Sequence, residues 1–194
     1  MQVKIVGAGN FISGSPRGNL QGSRLLVNFA AMSRTFSIEV AKDYFNFASA
    51  HFLIFANGQR EPLHGHNYQV SVKLEGELDR AGVVLDFIAF KPMVKRICDS
   101  LDHRTLIQSK SPVLQVRRRA REIEVRYRRQ KIILPKQDVL LLPLANTSTE
   151  LLAEHVAGRI RRQVRQKFPG AKVRFMEVGV EEARGQRGIF RGEF

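Results

Sequence analysis

Two runs of alternating residues, joined by a short turn-rich stretch, constrain this chain more than any other feature. In the first, Phe36, Ile38 and Val40 alternate with polar neighbours, and Phe45, Phe47 and Ser49 carry the period of two on to His51. In the second, over residues 64–78, Tyr68, Val70, Val72 and Leu74 share one face. Residues 55–63 between them hold Asn57-Gly58 and Pro62, which are turn signals. The pattern predicts two long antiparallel strands.

Helical periodicity follows. Asp86 can cap a helix over about 88–100, in which Met93, Val94, Ile97, Cys98 and Leu101 make one apolar face. Pro92 blurs its start, because proline suits only a first turn. A second helix opens on Thr147-Ser148-Thr149-Glu150, which matches a capping box. Its stripe runs Leu152, Val156, Ile160, Val164, Phe168 until Pro169-Gly170 stops it. Two strands, about 172–183 and 188–194, close the chain around a turn at 184–187. Between the helices lies an extra segment, 111–145, where Ile123, Val125 and Tyr127 can pair back on Ile132 to Leu134 as a hairpin. The order is strand, strand, helix, hairpin insert, helix, strand, strand, an α+β pattern. Residues 1–31, rich in Gly, Ser and Asn, read as a flexible leader before a domain at 32–194.

Thirty-two Lys and Arg against 18 Asp and Glu give a net charge of +14. Such a field attracts anions, whether nucleic acid, acidic lipid or a phosphorylated small substrate. The stretch 117–131 is the densest, with eight basic residues against Glu122 and Glu124. That hairpin and the helix face of Arg159, Arg161, Arg162, Arg165 and Lys167 could track phosphates in a non-catalytic nucleic-acid binder. Few aromatic residues accompany the patch, the chain has no Trp, and no nucleic-acid motif is present, so a solvated basic face is the simpler expectation. The single cysteine, Cys98, excludes an internal disulfide and reads as a small buried hydrophobe. No apolar run is long enough to cross a bilayer, so no membrane partner is expected, and a cytoplasmic protein is.

The chain has five histidines, and three of them, His51, His64 and His66, fall within sixteen positions. His64 and His66 share a strand face across Gly65, and an antiparallel partner could bring His51 alongside. Three imidazoles with one open position are the ligand set of a catalytic zinc ion. Scattered core or polar histidines would give the same spacing, and the residues by themselves leave both readings open.

Four ordered motifs carry a resemblance: Phe47-Ala48-Ser49-Ala50-His51, Leu63-His64-Gly65-His66-Asn67-Tyr68, Val84-Leu85-Asp86-Phe87 and Leu101-Asp102-His103. Together they resemble the 6-pyruvoyl-tetrahydropterin synthase family, which includes the 6-carboxy-tetrahydropterin synthases. The resemblance covers about 36–182 and leaves the 111–145 insert outside it. It implies a tunnelling fold, a four-stranded antiparallel sheet with two helices on one face. It also implies assembly into trimeric barrels stacked as a homohexamer, with sites at subunit interfaces. It implies Zn2+ on His51, His64 and His66, and 7,8-dihydroneopterin triphosphate as substrate.

The resemblance gives Asp102 and His103 the part of an acid–base pair; on residue grounds they are only a helix end with a His favoured by the helix dipole. It makes Glu182 the carboxylate that anchors the pterin, although the family follows that glutamate with Thr and here stands Ala183. Ser148 occupies the position of a family Thr near the pterin, and its simplest role is at the helix start. The main departure is the missing cysteine before His64, where the loop reads Asn57-Gly58-Gln59-Arg60-Glu61-Pro62-Leu63. Glu61 resembles a branch in which glutamate replaces cysteine and the substrate side chain is cut to 6-hydroxymethyl-7,8-dihydropterin. The alternatives are a loop charge beside Arg60 and, for the reaction, formation of the 6-pyruvoyl or 6-carboxy product.

Overall fold

The computed structural model describes residues 34–194, so the expected leader lies outside the described residues. The alternating residues make β1 (Phe36–Val40), β2 (Asn46–His51) and β3 (His64–Gly76). Both β1 and β2 pair antiparallel with β3, with Val40 opposite Val72 and Asn46 opposite Gln69. The single long first strand expected over 36–51 is therefore split. Residues 41–45 bulge out opposite only Val70 and Ser71, turned by a bond from Phe45 N–H to Lys42 O at 2.8 Å. Phe45 stays fully buried, which is why the alternation survives the break.

Helix α1 (Phe87–Asp99) is capped by Asp86, whose carboxylate accepts from Ile88 N–H at 2.8 Å. Pro92 lies in its second turn, not its first. The carbonyl that loses its partner belongs to Ile88, which is 80% exposed and can use water instead. Then come β4 (Arg104–Gln108), β5 (Gln115–Arg118), β6 (Glu122–Tyr127), β7 (Gln130–Pro135) and β8 (Val139–Leu142). Helix α2 (Thr149–Lys167), β9 (Val173–Ala183) and β10 (Gln186–Glu193) complete the fold. The main sheet runs β10-β9-β3-β2-β4-β8, with β1 also on β3. Its β10-β9-β3-β2 portion is the expected four-stranded antiparallel unit. The β4 and β8 strands extend it in parallel, which the sequence reading missed.

Both helices pack on one face. Phe47, Tyr68, Val70, Val72, Leu74, Met176, Val178 and Val180 meet Phe90, Met93, Ile97, Leu152, Val156 and Ile160 in one buried cluster. The insert is a three-stranded sheet, β5-β6-β7, not a lone hairpin. Its Ile123 and Val125 form a second cluster with Phe52 and Ile107, against which Val139 and Leu141 pack.

Cys98 is fully buried beneath α1, and burial pushes its thiol up to about 12, so it stays protonated. A thiol reagent at mildly alkaline pH should leave the native protein untouched and modify it only after unfolding. Cys98→Ala should cost about 1 kcal/mol in denaturant unfolding and retain turnover. Loss of activity in the folded variant would return the cysteine to the chemistry.

Candidate metal centre

The β2–β3 register sets His51 opposite His64 and Ser49 opposite His66. All three imidazoles then project from the helix-bearing face. Their rings lie 4.8 Å (His51–His64), 5.2 Å (His51–His66) and 4.8 Å (His64–His66) apart between centroids. One ligand atom from each falls within 4.8 Å of the others, so the set can hold a metal ion.

The surroundings fit such an ion. His51 Nδ1 lies 2.9 Å from Thr147 O, and His64 Nδ1 lies 2.9 Å from Pro62 O. A carbonyl can only accept, so each Nδ1 carries the proton and each Nε2 keeps its lone pair. His51 Nε2 is buried without a hydrogen-bond partner. A buried acceptor left so is costly unless something binds it. Burial also holds the His51 imidazole down to about 4, so it is neutral at physiological pH, as a ligand must be.

Three further groups border the cluster. Glu182 Oε2 is 3.9 Å from His66 Nε2. Tyr68, a fully buried ring 5.5 Å from His66, has a hydroxyl with no hydrogen-bond partner. Burial, then the charges of Glu182 and Glu61, push that hydroxyl far above its ordinary range, so it remains a donor. Glu61 is near enough for its charge to act on both His51 and Tyr68. Its Oε2 accepts from Leu53 N–H at 3.0 Å, and its own N–H donates to Leu53 O at 3.0 Å.

Asp102 and His103 form a pair, and neither is among the three clustered histidines. Asp102 Oδ2 meets His103 Nδ1 at 2.9 Å, and the two bracket the backbone of β2: Ala48 N–H donates to Asp102 Oδ1, and His103 N–H donates to Ala48 O, both at 2.7 Å. The Ala48 N–H, with His103 beyond it, holds the Asp102 carboxyl below the usual carboxylate range against the opposing effect of burial. The His103 side chain is 84% exposed, over an open depression of about 430 Å³ also lined by His66 and Asn67. Ser148 is the N-cap of α2, accepting from Leu151 N–H at 3.4 Å. The cap expected at Thr147 falls one residue later, and since Leu151 then stands three residues on, the expected box with Glu150 does not form. Thr147 turns inward, donating through Oγ1 to Phe52 O at 3.0 Å while its carbonyl orients His51. Sequence reasoning missed Thr147 and Tyr68 because a cap and a core aromatic explained both.

The model of the 6-pyruvoyl tetrahydropterin synthase family matches residues 39–193. The chain belongs to that family. A Methanocaldococcus jannaschii protein, provisionally named 6-carboxy-5,6,7,8-tetrahydropterin synthase, is 34% identical over 148 residues, 75% of this chain and 88% of its own. A crystal structure of the Plasmodium vivax 6-pyruvoyl tetrahydropterin synthase has a TM-score of 0.78 at 29% identity, covering 83% of this chain and 99% of the other. Further structures of the P. vivax protein carry a catalytic glutamate changed to Ala or to Cys. The dihydroneopterin monophosphate aldolase of Pyrococcus furiosus is 44% identical over 46 residues, 24% of this chain and 40% of its own. As a member of this family the protein is a pterin enzyme, and its fold is the family's tunnelling unit.

His64→Ala should abolish stoichiometric metal binding while circular dichroism keeps the native signature, because the core beneath the histidines is built from apolar side chains. A metal content unchanged by His64→Ala in native protein would overturn the centre.

Proposed function

We propose that the protein is a zinc-dependent lyase that cleaves the side chain of 7,8-dihydroneopterin triphosphate to 6-hydroxymethyl-7,8-dihydropterin, a folate precursor. The observation that carries the reading is Glu61, a carboxylate beside three histidines in the loop where the family's main branches use cysteine. The catalytic glutamate of the P. vivax relative and the aldolase name of the P. furiosus relative support it. Zinc held by His51, His64 and His66 would supply a Lewis acid for the hydroxyls of the substrate side chain.

The chain's own residues then divide the work. Glu182 binds the pterin, accepting paired hydrogen bonds from its ring N–H and amino group. Ser148, the cap of α2, borders that end of the substrate. Glu61 takes the proton of the C2′ hydroxyl. The O–H electron pair becomes the C2′ carbonyl, the C1′–C2′ bond breaks, and its electrons pass into the conjugated ring. The Asp102–His103 pair returns a proton to C1′, so the reaction balances without oxidant or reductant. Tyr68, buried and protonated, donates within the site. The exposure of His103 fits a site completed between subunits of a homo-oligomer, and β10 at the sheet edge offers a strand for such pairing.

Mass spectrometry of products from zinc-loaded protein tests the reading, with the triphosphate and the monophosphate offered separately. The expected product is 6-hydroxymethyl-7,8-dihydropterin; a 6-pyruvoyl or 6-carboxy product overturns the cleavage. Glu61→Gln should lower turnover by roughly two to four orders of magnitude with zinc retained.

A further inference from the structure

The β6–β7 turn of the insert grips the Glu61 loop at three points. Tyr127 Oη donates to Gly58 O at 2.7 Å. Gln130 Oε1 accepts from Arg60 Nε at 2.6 Å, and the same guanidinium donates through Nη1 to Glu61 O at 2.7 Å. The Arg128 side chain crosses Gly58 so closely that a Cβ added there would run into its Nη2.

The loop needs such a grip. Its own bonds close a small hairpin, with Ile54 bridged to Arg60 and Phe55 N–H donating to Gln59 O at 2.9 Å. An isolated two-stranded hairpin is marginal in water, and Phe55, Ala56 and Asn57 at its tip are exposed. The grip also carries a backbone cost. Arg128 has a φ of 51°, in the left-handed region that a bulky residue enters only at a cost. A two-residue hairpin turn ordinarily takes Asn-Gly; here it takes Arg128-Arg129. Strain of this kind persists where surrounding contacts over-determine it. Gly58, at φ 77°, leaves the space that the Arg128 guanidinium crosses.

We propose that Tyr127 and Gln130 are positioning residues for Glu61. The insert clasps the loop so that the carboxylate, tied to Leu53 N–H, keeps one place beside the histidine cluster. This rests on the catalytic reading of Glu61 given above.

Tyr127→Phe removes one hydroxyl and keeps the ring packed; Gln130→Ala alters an exposed turn residue and leaves the core alone. In the zinc-loaded enzyme each should lower kcat roughly ten- to a hundredfold, the effect of a misplaced group, with KM and zinc content unchanged. In a Glu61→Gln background neither should lower kcat further, because both act through that carboxylate. Independently of any substrate, hydrogen exchange at the Gly58 and Glu61 amides should quicken in both variants. A kcat loss that persists in Glu61→Gln would overturn the positioning role, as would wild-type exchange and turnover in both variants. Wild-type turnover of Glu61→Gln itself would instead sink the reading of Glu61 and, with it, the catalytic purpose of the clasp; the exchange measurement would still decide whether the insert holds the loop.

Discussion

The antiparallel register of β2 on β3 governs both the core and the site. Setting Phe47 opposite Tyr68 stacks the two rings at 4.7 Å with 19° between their planes. The same register, four residues on in β2 and four residues back in β3, sets His51 opposite His64. A slip of one residue would turn β2 over relative to β3, taking Phe47 out of the core and His51 away from His64 and His66 together. Apolar burial under the two helices thus supplies the precision of the histidine cluster. The three histidines need no separate scaffold.

Orientation of the rings is a second matter, settled by backbone carbonyls from outside the strands. Thr147 holds His51 and Pro62 holds His64, each by its carbonyl oxygen, and both leave the lone pair on Nε2. Thr147 is the residue just before the N-cap of α2, so the start of that helix is fastened to the site. The inward turn of Thr147 explains the one-residue shift of the cap to Ser148. The hydroxyl that could have capped the helix bonds Phe52 O instead. Gly188 on β10 completes the fit, since a Cβ there would meet Glu150 N at 2.5 Å.

The antiparallel strands, both helices and all three histidines were legible because each has a periodic surface: one side buried, the other wet. The β4 and β8 strands have no such surface. Leu106 and Leu142 point into the helix-side core, while Ile107 belongs to the insert-side cluster and Leu141 packs on it. Strands covered on both faces show unbroken apolar runs, such as Val139-Leu140-Leu141-Leu142, instead of alternation. The split of β1 from β2 was hidden for the opposite reason: the bulge preserves the alternation across it. Tyr68 was legible as core but not as a site residue, since nothing local tells that its hydroxyl ends beside Glu182 and Glu61. Asp102 and His103 showed as a pair, whereas their bracketing of Ala48 depends on a crossing between α1 and β4 that spacing does not encode.

Cover for the second face of β4 and β8 gives the insert a physical reason to exist. Without Ile123 and Val125 against Phe52 and Ile107, a row of branched apolar side chains would face water. The outer face of the insert resolves its own charge locally. Glu124, cross-strand from Arg117, is 1% exposed because Arg119, Arg126 and Lys131 lie over it, not because it is deep in the domain. One carboxylate shared among three cations still leaves the insert strongly positive. Salt screens such charges beyond about 8–10 Å, so the field felt at the Glu61 loop comes from nearby arginines, not from the whole surplus. Arg60, Arg128 and Arg129 are the ones gathered at the turn that touches that loop, where they line a cavity of about 500 Å³ with Gly58 and Tyr127. The insert therefore brings positive charge to the Glu61 loop by the same turn that grips it, so the local field and the loop's position depend on one hairpin.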